Sequence, residues 1–144
     1  MGEVEQVITK QIKKGNTTMG TRATIGIERD NGKVKFIVAY WDGYLEYTGK
    51  MLAEHYMDMD KVSRLVNGGW VESVKETLED TKRTPQEKVL YESVSTKTVS
   101  LKTFLAQDSA YNYLFTKDGK WKVYMWNDGH NKFMWHELKD ALAA

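Results

Sequence analysis

General acid–base chemistry most often uses histidine, and this chain has three: His55, His130 and His136. His55 stands between Glu54 and Tyr56, His136 precedes Glu137, and His130 follows the turn-like Asn127-Asp128-Gly129. None has HExxH, HxH or carboxylate–histidine spacing, so no zinc set is written locally. Asp128, His130 and His136 would bind a metal only in a fold that converged them, and the plainer reading is three boundary or exposed histidines. Cysteine is absent, which removes thiolate ligands, disulfides and thiol nucleophiles together. There is no GxSxG elbow, no GxxxxGK[ST] loop and no GxGxxG turn, so the common nucleophile and phosphate cradles are missing. The acid pairs Asp58/Asp60 and Glu79/Asp80 read as a helix cap and a solvated face. We therefore expect a protein that is not an enzyme, with no catalytic residue, no metal ligand and no cofactor.

The aromatic residues are more informative. The chain holds 5 Trp, 8 Tyr and 4 Phe. They gather at Tyr40, Trp41, Tyr44 and Tyr47, and again over residues 111–135. Trp and Tyr present an apolar body and a polar tip, which suits interface anchors and base-stacking platforms. Along residues 121–126, Trp121, Val123 and Met125 point one way, and Lys122, Tyr124 and Trp126 the other. One set must line a core. The other is either a contact surface or the second side of a core.

These residues need elements to hold them. Residues 20–28 alternate Thr21, Ala23, Ile25 and Ile27 on one face and read as a strand. Asp30-Asn31-Gly32 is a hairpin turn, and residues 33–40 return as a central strand. Trp41-Asp42-Gly43-Tyr44 ends that strand. A helix is expected from Thr48 or Gly49 through Met51, Leu52, His55 and Tyr56. A second, capped by Asp58 or Asp60, buries Val62, Leu65 and Val66 and stops at Gly68-Gly69. Trp70, Val71, Val74 and Leu78 have helical spacing. Residues 81–85 read as a loop, 86–92 as a helical turn or strand, and 93–99 as an edge strand. Ser100 or Thr98 caps a helix carrying Leu101, Phe104 and Leu105.

Residues 111–116 and 121–126 then form a second hairpin around Lys117–Lys120, followed by Asn127-Asp128-Gly129 and a helix over residues 133–142. The stretches at 30–43 and 117–129 share turn, Gly-Lys, alternating strand and Asp-Gly. They read either as a duplicated hairpin-helix unit or as two ordinary hairpins with similar turns. Both give the same architecture: α+β, an antiparallel sheet of four or five strands with helices packed on one face.

The 144 residues, 41% hydrophobic and 28% charged, suit one globular domain. We place that domain at residues 19–144. Residues 1–18, with a narrow helical stripe of Val4, Val7, Ile8 and Ile12, read as an extension: a tail or a partner-seeking helix. They lack the apolar run of a signal peptide, and no stretch of the chain is long and apolar enough to span a membrane. The net charge is +1 and no segment departs far from neutrality. That disfavours non-specific nucleic-acid binding and mimicry of DNA by massed carboxylates.

Thr21-Arg22-Ala23-Thr24-Ile25, then Trp41-Asp42-Gly43-Tyr44, then Gly49-Lys50 and His55-Tyr56 form a pattern. It resembles a group of small proteins encoded by bacteriophages and prophages. The resemblance covers about residues 19–67 and leaves the rest of the chain unmatched. It implies a phage accessory protein of the bacterial cytoplasm that counters a host defence. Two roles follow from it. In the first, the chain binds and inhibits a defence protein such as a CRISPR effector, with exposed Trp and Tyr as anchors. In the second, it is a sponge for a cyclic nucleotide or ADP-ribose-type immune signal. Arg22 would then grip phosphate, Trp41, Tyr44 and Trp126 would stack on a base, and Asp42 or Asp128 would accept from hydroxyls. Only four arginines exist, so such a pocket would recruit Lys33, Lys35 or Lys50, or a second copy of the chain. Alternatively Arg22 ion-pairs at the sheet edge with Asp42, and Asp42-Gly43 is a plain turn. The binding candidates are Arg22, Trp41, Asp42, Tyr44, Tyr124, Trp126 and Asp128. Their convergence in a closed pocket favours the sponge, and their spread over an open face favours a protein partner.

Overall fold

The computed structural model describes residues 21–144, so the extension at 1–18 lies outside the described residues. Six strands form one sheet in the order β3-β2-β1-β4-β5-β6. They are β1 (Ala23–Glu28), β2 (Lys33–Ala39), β3 (Lys97–Ser100), β4 (Tyr111–Phe115), β5 (Trp121–Asn127) and β6 (Lys132–Glu137). The class is α+β, as the sequence predicts, but the sheet is wider than expected and mixed. β1 and β4 run parallel, whereas every other neighbouring pair is antiparallel. The cause is the β3–β4 connection. It returns across two intervening strands, so the second hairpin enters beside β1 in the same direction. A hairpin pattern sets pairing within each hairpin and says nothing of how two hairpins dock.

Four α-helices occur among the described residues: α1 (Lys50–His55), α2 (Met59–Asn67), α3 (Leu101–Leu105) and α4 (Leu138–Ala143). A π-helical turn, Leu45–Gly49, leads into α1. The Asp58 side chain caps α2 by accepting from the Lys61 N–H at 2.8 Å, and Ser100 caps α3 by accepting from Thr103 at 3.1 Å. Both caps were legible as Asp and Ser before apolar-periodic runs.

The helices do not share one face, contrary to expectation. Tyr113, in register with Ile25, bonds the Gly43 carbonyl just before the π-turn and packs by its ring near Gly49, and Trp121 bonds the Tyr56 carbonyl. Thus α1 and its neighbours α2 and α4 pack on the Ile25/Tyr113 side. On the other side α3 sets Phe104 edge-on against Phe36, with ring centres 5.5 Å apart. Gly26 makes room for it. A Cβ there would sit 2.6 Å from Val34 and 3.0 Å from the Phe104 ring. β1 and β2 are therefore buried on both faces, through Ala23, Ile25, Ile37 and Ala39 on one and Thr24, Val34 and Phe36 on the other.

Of the predicted helices, that over 70–78 is absent and that over 133–142 keeps only its second half, as α4. Residues 70–78 are irregular: Val71 bridges Ala39 and Arg83, the Trp70 carbonyl accepts from the Thr84 N–H at 2.9 Å, and bends and a turn follow. Trp70, Val71 and Val74 are buried as expected, but from an irregular path that tertiary bonds sustain. Residues 132–137 form β6 where a helix was expected. Asn131 takes a left-handed φ of 53° and turns the chain straight back onto β5. The second Asp-Gly turn thus feeds a strand rather than a helix, and the proposed duplication stops at the hairpin. Residues 86–88 form a single helical turn, one of the two readings given.

No helix among the described residues is long and apolar enough to cross a membrane. Burial raises the phenol pKa of Tyr56, Tyr111 and Tyr113 above the ordinary 10.0, most of all at Tyr113, where Tyr111 and Glu46 add to it. A phenol whose folded pKa is raised contributes stability that is complete below the unfolded value and lost as pH climbs through the folded one. Alkaline titration of tyrosinate absorbance should leave three of the eight tyrosines behind until the fold opens. Eight phenols titrating together in the native state would contradict that.

Candidate binding surface

The predicted binding residues separate into two groups. The first surrounds the end of β2. Arg22 lies over the Tyr40 ring at 4.9 Å and the Trp70 ring at 5.7 Å, and its guanidinium is 3.8 Å from Glu92. It does ion-pair, but with Glu92 rather than Asp42, and at the lead into the interior strand β1 rather than at the sheet edge. Asp42 adopts a left-handed φ of 58°. Its carboxylate accepts from the Ser73 hydroxyl at 3.0 Å and its carbonyl from Thr48 at 2.6 Å. That commits Asp42 to holding a turn. The Tyr44 carbonyl accepts from the N–H groups of Tyr47 and Thr48 and starts the π-turn, and its ring tilts on Tyr47 at 6.3 Å. Trp41 is 39% exposed and tilts against Tyr40 at 5.1 Å. Trp41→Ala should cost no more than about 1 kcal/mol, because truncating a part-exposed ring leaves no closed cavity. A thermal melt checks this, and a loss of several kcal/mol would assign Trp41 to the core.

The second group lies three strands along the sheet from β2, on the side that α3 partly covers. Tyr124 and Trp126 on β5 stand opposite Trp135 and Phe133 on β6. Ring centres are 5.3 Å apart for Tyr124–Trp135, 5.8 Å for Tyr124–Phe133 and 5.5 Å for Trp126–Phe133. All four side chains are half-buried. Such offset and edge-on ring pairs add about 0.5–1.5 kcal/mol each beyond area burial, so they hold the row rigid. Trp126 also donates its indole N–H to Asp128 at 2.9 Å, which makes Asp128 a brace for that ring. Lys122 and Glu137, opposite one another and 3.8 Å apart, form a charged rim at one end.

Sequence reasoning found half of this row. It missed Phe133 and Trp135 because they were placed on a helix. The signal was present: Phe133-x-Trp135 repeats the period-two spacing of Tyr124-x-Trp126 across an Asn-Asp-Gly turn.

The two groups do not close on a common pocket. Arg22 turns toward Tyr40, away from Trp126, and β4 lies between them at strand spacings of about 4.8 Å. A cleft of about 380 Å³ beside Trp126 is lined by Leu45, Glu46, Tyr111, Met125 and Asp128. Its charged residues are both carboxylates, which repel a phosphate. Among the described residues no group of three or more His, Cys, Asp or Glu could hold a metal ion. His55 sits at the end of α1, His130 in the β5–β6 turn and His136 on β6.

Comparison of the chain with protein-family models, with curated proteins and with solved structures gives no match.

Proposed function

We propose that the chain is a phage-derived, non-catalytic binding protein that neutralises a bacterial defence in the host cytoplasm. In this reading it docks on a defence protein, such as a CRISPR effector, through the face carrying Tyr124, Trp126, Phe133 and Trp135. The observation that supports it is the braced aromatic row with a charged rim, laid over two strands rather than around a closed pocket. Large rigid rings at the centre and charges at the edge are the anatomy of protein-contact surfaces. The phage and defence parts rest on the resemblance over residues 19–67. Sequestration of a nucleotide signal is the weaker reading, because Arg22 is engaged elsewhere and the cleft by Trp126 is acidic.

The test is a plasmid-interference assay in bacteria carrying a panel of defence systems. With one of the CRISPR systems, the chain should restore transformation by a targeted plasmid, and Tyr124→Ala/Trp135→Ala should not. No restoration with any system would refute the proposal.

A further inference from the structure

A second cleft, on the opposite side of the sheet from the aromatic row, has a different chemistry. It encloses about 490 Å³ between the end of α1, the β4–β5 turn and the start of α4, and is lined by Ala53, Met57, Phe115, Gly119, Lys120, Trp121, Glu137, Leu138 and Lys139. That volume is in the range of small-molecule sites. Its floor is apolar and fixed. Phe115 and Trp121 tilt together at 5.0 Å, and the Trp121 indole N–H is held by the Tyr56 carbonyl at 2.8 Å. Leu138 is fully buried beneath them. Met57, 69% exposed, overhangs one side, a large apolar group left in water beside an apolar hollow.

The rim is cationic. Lys120 and Lys139 both line the cleft, and among the described residues neither forms an ion pair. Glu137, the one carboxylate in the lining, lies 3.8 Å from Lys122, and Asp118 outside it accepts from the Thr116 hydroxyl and keeps its charge near Lys120. An apolar floor below two ammonium groups, which outnumber the single carboxylate of the lining, suits an amphiphilic anion. We infer that the α1–α4 cleft binds a small amphiphilic anion, an unbranched acyl carboxylate whose chain covers Phe115, Trp121 and Met57 and whose head meets Lys120 and Lys139. This site shares only Glu137 with the rim of the aromatic row, and its failure would leave the defence-protein reading untouched.

Decanoate, kept below its micelle concentration, should bind the full chain with one-to-one stoichiometry in calorimetry. Lys120→Gln/Lys139→Gln should weaken binding at least about tenfold, the worth of a charge-assisted contact, with an unchanged melting temperature. 1-Decanol, the same chain without the charge, should bind more weakly by a similar factor. Ala53→Phe, which fills the hollow, should abolish binding while the double lysine variant still folds. Equal binding of decanoate and decanol, full retention by the lysine variant, or no binding of decanoate would each overturn the assignment. So would equal binding of inorganic phosphate, which has no apolar body.

Discussion

Arg83→Ala should destabilise the protein by about 2–4 kcal/mol, although Arg83 lies in a segment without regular structure. Its guanidinium closes the C-terminal end of α2. Nη1 donates to the carbonyls of Leu65 at 2.6 Å and Gly69 at 2.8 Å, and Nη2 to Arg64 at 3.2 Å. The last carbonyls of a helix have no partner of their own and carry its negative dipole end, so a cation there both bonds and neutralises. Burial lowers the Arg83 pKa, and a guanidinium in a protein stays protonated.

Gly68 is part of the same device, because a Cβ there would sit 2.3 Å from the guanidinium carbon. The backbone of Arg83 bridges Val71, so the side chain ties residues 68–84 to α2 as well. Arg83→Lys should recover little, since an ammonium cannot span three carbonyls as the planar fork does. Urea denaturation of the three proteins measures this. A loss under about 1 kcal/mol for Arg83→Ala would mean that water replaces the fork without penalty.

Tyr113→Ala should cost about 3–5 kcal/mol, the usual loss for a buried aromatic. Tyr113 is fully buried at the centre of β4, in register with Ile25. Its hydroxyl donates to the Gly43 carbonyl at 2.9 Å, and the Gly43 N–H donates to the Thr21 carbonyl at 2.8 Å. One phenol thus joins β4 to the turn after β2 and to the lead into β1. Tyr113→Phe keeps the packing and strands the carbonyl, for about 1–2 kcal/mol. Equal losses for the two variants would show that the hydroxyl, not the ring, carries the effect. The same two proteins identify Tyr113 in the alkaline titration, since Tyr113→Phe should remove one late-titrating phenol.

What was legible in the sequence follows a pattern. β1, β2, β4 and β5 and helices α1 to α3 could be read because each is bounded by a local signal: Asn-Gly, Asp-Gly, a Ser or Asp cap, or period-two alternation. The failures are places where distant partners decide. Residues 70–78 carry helical spacing but take an irregular path pinned at Val71 by Ala39 and Arg83, 32 and 12 residues away. β6 was hidden because Phe133, Trp135 and Leu138 also fit a helix, and only pairing with β5 distinguishes the two.

The parallel β1–β4 pair and the Thr24–Asn112 hydrogen bond of 2.6 Å across it join residues 88 apart. No local rule sees that. At the candidate site, residue type was readable and role was not. Arg22 and Asp42 look like ligand-gripping groups, yet Glu92 and Ser73 occupy them. Tyr124 and Trp126 were found by alternation, but the partners that turn them into a row lie on the strand that was missed.

The most direct test of the central claim is native mass spectrometry of the purified chain with the purified CRISPR effector that the interference panel selects. The wild-type chain should form a stoichiometric complex. Tyr124→Ala/Trp135→Ala should weaken it by about a hundredfold or more, as loss of two aromatic hot spots does. Arg22→Ala/Asp42→Ala should leave the affinity unchanged after correction for lost stability. Undiminished binding by the Tyr124/Trp135 variant, or a chain that gains only a few hundred daltons of nucleotide in place of a protein, would contradict the account.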